Sequence, residues 1–190
     1  MEPSESTDAG SWGALDHLPG NPLMWVLIIS EILVFGAFFC AFSAARAWNA
    51  PAFATDQMQL NRLAGGVNTM ILLTSGLFAA IGARNAALGR VTACRLWLGA
   101  AALMGLGFLT VKGFEYSAEF SHGIGMETSP FFTLFFLMTG FHALHVVLGV
   151  VILGIVGWKC SIENVETGTA FWHMVDLIWV LLYPIVYLIR

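Results

Sequence analysis

Five apolar stretches, at about 23–46, 67–88, 92–112, 130–158 and 170–189, decide what this chain of 190 residues can become. A spanning helix needs roughly 20 mostly apolar residues, and each stretch is long enough to cross a bilayer alone. No run between them suggests a soluble domain. Composition enters only as a check. Hydrophobic residues make up 58% of the chain, charged residues 11%, and mean hydropathy is +0.79. Water-soluble domains carry about a quarter of their residues charged, so this chain lacks the polar surface to cover itself. The expected fold is all-α: an integral membrane bundle of five transmembrane helices over residues 23–190, preceded by an acidic tail, 1–22. That tail holds Glu2, Glu5, Asp8 and Asp16 without Lys or Arg. A signal peptide opens with positive charge, so none is expected here.

The charge pattern excludes some functions. Net charge is −4 and the basic residues are scattered singly, unlike the dense positive patch that nucleic acid requires. Cys40, Cys94 and Cys160 lie in or beside apolar runs without metal-site spacing, which argues against a disulfide framework or a zinc site.

Local signals mark several span ends. Thr128-Ser129-Pro130 places a hydroxyl at an N-cap and proline in the first turn of span four. Gly65-Gly66 is expected to break the chain before span two, Gly89-Arg90 before span three, and Pro184 to kink span five. With the N-terminus inside, the inner segments hold Arg84, Arg90, Arg95 and Lys159, and the outer ones Arg46, Arg62, Lys112 and Arg190. The positive-inside count is a tie, and the Arg84/Arg90/Arg95 cluster favours N-inside, C-outside. Ala37, Ala41 and Ala45, and Ala101 with Gly105, have the spacing that lets helices approach closely in lipid. Trp25, Trp48, Trp97, Trp158 and Trp172 lie near span ends, as interfacial belts require, and Trp179 lies deeper. No internal repeat is evident, which weakens a transporter built from duplicated halves.

Charge at membrane depth is costly and marks function by default. The candidates are Glu31 in span one, His142 and His145 in span four, and His173 and Asp176 in span five, with Glu115 just beyond span three. Glu31 is about 12 Å along its helix from Leu23, and Asp176 about 10 Å from Thr169, at the standard rise. Spans one and five start on the same side, so the two carboxyls are expected at similar depth. A carboxyl there either handles protons or makes an interhelical hydrogen bond. Phe35, Phe38 and Phe42 follow at helical spacing and read as packing. His142 and His145 share one face, as do His173 and Asp176. The di-iron pattern needs Glu-x-x-His on two helices and two more glutamates; His-x-x-His and His-x-x-Asp are neither. These groups read as polar glue between helices or toward a partner subunit, with no metal site and no catalytic residue.

Four motifs then carry a resemblance. They are Ile29-Ser30-Glu31-Ile32-Leu33-Val34-Phe35, Phe114-Glu115-Tyr116, Thr139-Gly140-Phe141-His142-Ala143-Leu144-His145-Val146, and Phe171-Trp172-His173-Met174-Val175-Asp176-Leu177-Ile178-Trp179. In order and spacing, across roughly residues 20–190, they resemble subunit III of the haem-copper oxidases (cytochrome c and quinol oxidases) in its five-helix form. Pro19-Gly20-Asn21-Pro22-Leu23-Met24-Trp25 and Val111-Lys112-Gly113-Phe114-Glu115-Tyr116 look closest to the NorE branch, associated with nitric oxide reductases.

The resemblance implies a non-catalytic accessory subunit of a respiratory electron-transport complex. It packs on a catalytic haem-bearing subunit, holds structural phospholipid and supports turnover and proton uptake. It implies no cofactor in this chain, haem and metal in the partner, and a multi-pass place in the bacterial inner (plasma) membrane. Glu31 matches the family's intramembrane carboxylate; Glu115, His142, His145, His173, Asp176 and Trp179 match its polar motif positions. Two other classes stand beside this one. One is a free-standing proton-coupled transporter using Glu31 and Asp176. The other is a haem- or metal-binding electron carrier using the histidines of spans four and five.

Overall fold

The computed structural model describes residues 22–189. The expected acidic tail with Glu2, Glu5, Asp8 and Asp16, the opening Pro19-Gly20-Asn21, and Arg190 lie outside the described residues. Six helices follow in order: α1 (Pro22–Trp48), α2 (Ala50–Gln57), α3 (Arg62–Ala87), α4 (Val91–Ser121), α5 (Pro130–Lys159) and α6 (Ile162–Tyr183), the last continuing as a π-helical turn, Pro184–Leu188. Five of them are long and apolar enough to cross a membrane, and no strand occurs among the described residues. The chain is an all-α membrane bundle.

The capping chemistry is local. The Ser129 hydroxyl accepts from the Phe132 N–H at 3.3 Å with Pro130 in the first turn, and the Asn61 side chain accepts from Ala64 N–H at 3.1 Å. Gly89, at φ +68°, lets the chain leave α3, and Arg90 N–H returns to the Asn85 carbonyl at 2.9 Å.

The expected break at Gly65-Gly66 is absent. The helix starts earlier, at Arg62, and runs through both glycines. They serve close approach instead: a Cβ at Gly65 would stand 2.7 Å from the Tyr183 ring. Helix α4 also outruns its apolar stretch. Beyond Phe108 the inward stripe continues as Lys112, Glu115 and Glu119, all buried, so the helix persists to Ser121.

Pro184 has no N–H for the carbonyl one turn back. The turn after it widens, Ile189 N–H bonding the Pro184 carbonyl at 2.9 Å. Helix α2, which no apolar run announced, closes this end. Phe53 packs against Phe42 and Phe131, and the Gln57 amide donates to the Val186 and Ile189 carbonyls at 2.8 and 3.0 Å. Arg46 donates to the Ile189 carbonyl as well.

Helices α3, α4, α5 and α6 pack mutually around the core, while α1 leans on α5 and α6. Only 11% of the apolar window of α1 is buried, against 56% for α6, so α6 is central and α1 peripheral. The alanine stripe of α1 is not its packing face: Ala37 and Ala41 are exposed, and Phe35 and Phe42 bury instead. Without a hydrophobic drive in lipid, contact area decides which face turns inward, and two phenyl rings offer more than two methyl groups. Ala101 and Gly105 do face the core.

Trp172 lies in that core rather than in an interfacial belt. Its ring is wedged between Gly105 and Gly149, where a Cβ on either would stand 2.6 Å from it. Its indole N–H donates to the Ser75 hydroxyl at 3.0 Å, and that hydroxyl donates to the Ala101 carbonyl at 2.8 Å. By contrast Trp48 and Trp158 are exposed, at 89% and 82%.

Candidate functional site

The anticipated polar residues occupy three places inside the bundle, and two of them recruit partners that the sequence did not single out. The first place joins α1 to α5. Glu31 Oε2 lies 2.9 Å from His145 Nε2. The approach is at ion-pair distance yet off the line of a well-formed hydrogen bond, so Oε2 is buried without an aligned donor. His145 Nδ1 sits 2.8 Å from the Phe141 carbonyl, which only accepts, so Nδ1 carries a hydrogen. Nε2 is the ring nitrogen left to face the carboxyl. Phe35 and Phe141 flank the His145 ring at 5.6 and 4.7 Å.

One turn earlier on α5, His142 is fully buried among aromatic rings: Trp179 at 5.2 Å, Phe108 at 5.6 Å and Phe35 at 6.3 Å. Neither ring nitrogen has a hydrogen-bond partner among the described residues. Trp179 N–H instead donates to Thr69 Oγ1 at 3.0 Å, and neighbouring Asn68 is fully buried with its amide unpartnered.

The second place surrounds Glu115, which lies inside α4 rather than beyond its span. Lys112 Nζ contacts Glu115 Oε2 at 2.8 Å and donates to Tyr187 Oη at 2.7 Å, and the Tyr187 hydroxyl donates to Glu115 Oε1 at 2.7 Å. The three groups close a ring. Lys112 is 2% exposed and its ammonium stands 4.8 Å from the Phe135 centroid and 5.3 Å from that of Trp179. Beside it Tyr116 Oη meets Thr139 Oγ1 at 2.6 Å, linking two of the four motifs. Lys112, counted above with the loop charges, is thus an interior cation. Its signal was present, since Lys and Glu three apart share a helix face; Tyr187, far along the chain, left none.

The third place is on α6 against α3. A Cβ at Gly76 would overlap Asp176 Oδ2 and stand 3.4 Å from His173 Nδ1, so both side chains gather at that glycine. Asp176 is 6% exposed with Oδ1 unpartnered, while His173 is exposed. Glu31 and Asp176 are level: His142 meets Trp179 and Gly149 meets Trp172, which sets His145 opposite Val175–Asp176. They face different neighbours, however, Glu31 toward α5 and Asp176 toward α3. Among the described residues no three His, Cys, Asp or Glu side chains converge as a metal-ligand set. The arrangement holds a carboxyl–imidazole contact and a buried ion pair; its chemistry is cohesion between helices.

With this geometry in hand, comparison with known proteins is specific. The family model described as cytochrome c oxidase subunit III matches residues 19–189. The cytochrome c oxidase subunit 3 of Thermostichus vulcanus is 31% identical, covering 93% of this chain and 92% of that protein. The probable cytochrome c oxidase subunit 3 of Mycobacterium tuberculosis is also 31% identical, over 87% of this chain and 85% of the relative. A heme-copper oxidase subunit I+III of Aeropyrum pernix is 28% identical over 93% of this chain, which spans 24% of that longer protein.

Proposed function

The chain belongs to the cytochrome c oxidase subunit III family, and from that premise we propose that it serves as the non-catalytic subunit III of a respiratory haem-copper oxidase complex. The observation that carries the reading is the use made of the motif residues. Glu31 engages His145, Glu115 engages Lys112 and Tyr187, and Tyr116 engages Thr139, all within the bundle. Such groups hold helices in register; they do not present a reacting centre. Glu31 and Asp176, facing different helices, do not form the pair that a free-standing transporter would couple.

The partner is a catalytic subunit bearing haem and metal. The Aeropyrum pernix relative, whose name joins subunits I and III in one protein, supports that partnership. The site is the multi-pass interior of a bacterial inner membrane. The N-terminus lies on the cytoplasmic side: with Lys112 inside the bundle, the loop charges favour the Arg84/Arg90/Arg95 end. Structural phospholipid fits the cleft of about 700 Å³ beside α3, lined by Leu63, Val67, Met70, Ile71 and Met104 with Arg62 among them. A nitric oxide reductase parent of the NorE type rests on the resemblance of the stretches Pro19–Trp25 and Val111–Tyr116.

The experiment is to tag the chain, extract native membranes in mild detergent and record the optical spectrum and subunit composition of what co-purifies. Stoichiometric recovery with a large haem-bearing subunit is expected, and assays with oxygen and nitric oxide then name the parent enzyme. Recovery of a colourless chain alone, under conditions that keep oxidase complexes intact, overturns the reading.

A further inference from the structure

Where α4 begins and α5 ends, two cations stand beside apolar grooves without an acidic partner. Arg95 and Lys159 are both exposed, and neither makes an ion pair among the described residues. Glu163 and Glu166, the carboxyls that open α6 at this end, are exposed and pair with neither. Arg95 donates through one nitrogen to the Trp158 carbonyl at 2.8 Å, which draws its guanidinium to the end of α5. Trp158 is exposed at that helix end, the place of an interfacial tryptophan, so both cations lie at headgroup level. Two grooves adjoin there. One, of about 440 Å³, runs between α4 and α5 over Leu98, Ala102 and Leu153, with Arg95 in its wall. The other, of about 430 Å³, follows α5 along Val151 and Ile155, with Lys159 in its wall. Gly154 and Trp158 line both. A Cβ at Gly154 would meet nothing within 4 Å, so this glycine admits no neighbouring helix and instead hollows the outer surface.

We propose that this corner binds an anionic phospholipid, its phosphate held by Arg95 and Lys159 and its two acyl chains laid in the grooves that adjoin at Gly154 and Trp158. The site is separate from the cleft beside α3, and it rests on the membrane bundle alone, whichever parent enzyme the chain serves. Charge complementarity selects the occupant. Anionic headgroups are drawn to Lys and Arg at the membrane surface, and guanidinium bonds phosphate through paired N–H groups. A zwitterionic phospholipid carries the same phosphate and chains but brings its own ammonium, which the two cations repel. A free phosphate would answer the cations and ignore the grooves.

The test uses the tagged chain as extracted from native membranes, together with whatever accompanies it. It is mixed with phosphatidylglycerol carrying a diazirine in one acyl chain, or with phosphatidylcholine of the same chains, then irradiated and digested. Adducts on the peptides covering residues 95–102 and 151–159 are expected from phosphatidylglycerol at least several-fold above those from phosphatidylcholine. Arg95→Gln with Lys159→Gln should bring the two lipids level. Gly154→Leu places its side chain in open space, so the bundle is kept while the grooves are filled. It should lower labelling of these peptides several-fold and leave labelling at Met70 and Met104, in the cleft beside α3, as it was. Equal labelling by the two lipids in the unsubstituted chain, a preference that survives loss of both cations, or labelling that survives Gly154→Leu would each overturn the proposal. So would the absence of adducts on both peptides, which would mean that protein rather than lipid covers this corner. Co-purification with a haem-bearing subunit is read separately, before irradiation, so failure of the subunit III reading is not mistaken for failure of this one.

Discussion

Glu31 Oε2 stands 2.9 Å from His145 Nε2, and this contact is a polar tie of the most peripheral helix to α5 at membrane depth. His145 Nδ1 donates to the Phe141 carbonyl, which leaves Nε2 to face the carboxyl. Glu31→Gln keeps a hydrogen-bonding group of the same size beside Nε2, so the expected result is a folded chain in an assembled complex with modestly altered turnover or durability. His145→Leu leaves the carboxyl facing an apolar side chain and is expected to lower the complex's thermal stability more than Glu31→Gln does. Turnover number and thermal inactivation of the purified complex check both. Complete loss of chemistry in a correctly assembled Glu31→Gln complex contradicts an accessory role.

The Lys112–Glu115–Tyr187 ring predicts strong non-additivity. Removing one member of a buried ion pair strands the other charge, at about 3–5 kcal/mol, whereas replacing both with apolar groups is often neutral. Lys112→Met should therefore be severely destabilising, and Lys112→Met with Glu115→Leu markedly less so. Tyr187→Phe removes the hydroxyl that bonds both partners and should cost about 1–3 kcal/mol by leaving them under-bonded. A double-mutant cycle on thermal unfolding in detergent reads the coupling; additive effects would show that the ring is not a unit.

Legibility in the sequence followed the physics of each feature. Apolar length is a local property, so the five spanning helices could be read directly, as could the Ser129 cap. Inward orientation is not local. The alanine stripe on α1 had the spacing of a packing face, but Phe35 and Phe42 bury more area and take that role. Lys112 read as a loop charge because its apolar stretch ends there; its partner Tyr187 is 75 residues distant. Glu31 and Asp176 were rightly expected at one depth, since counting residues fixes height. Counting does not fix azimuth, and they face different helices. Helix α2 escaped notice because eight residues with Phe53 and Gln57 as the buried face carry too weak a pattern.

Trp172 and Gly149 make a shape constraint that is testable without any charged group. The ring occupies the space that a Cβ at Gly149 would need, with Trp172 Cε3 at 2.6 Å. Overpacking of a filled core typically costs about 1–3 kcal/mol. Gly149→Ala should lower the unfolding temperature, and Trp172→Phe in that background should recover part of the loss, although Trp172→Phe alone is destabilising because it abandons the bond to Ser75. Differential scanning measurements of the single and double variants decide it. If the two losses simply add, the ring and the glycine are not in competition for the same space.

Cys94 and Cys160 give a covalent reading of how α4 meets α5. Their sulfurs are 3.3 Å apart across 66 residues of chain, with Cys160 held at the end of α5 in a left-handed conformation, φ 46°. Arg95 reinforces the corner by donating to the Trp158 carbonyl at 2.8 Å. A disulfide needs its sulfurs to approach to about 2.05 Å, closer than they stand as thiols. Treating the complex with diamide should join the two residues, each thiol giving up one proton and one electron while the diazene is reduced to the hydrazine. Mass spectrometry of the digested chain then finds the peptides containing residues 94 and 160 linked, two hydrogen masses lighter than their sum. Cys160→Ser should abolish the link, and Cys40, which is exposed and lies on α1, should remain outside it. A link from Cys40 instead, or none in the folded chain, would place the start of α4 and the end of α5 apart and so contradict the packing from which the polar interior is built.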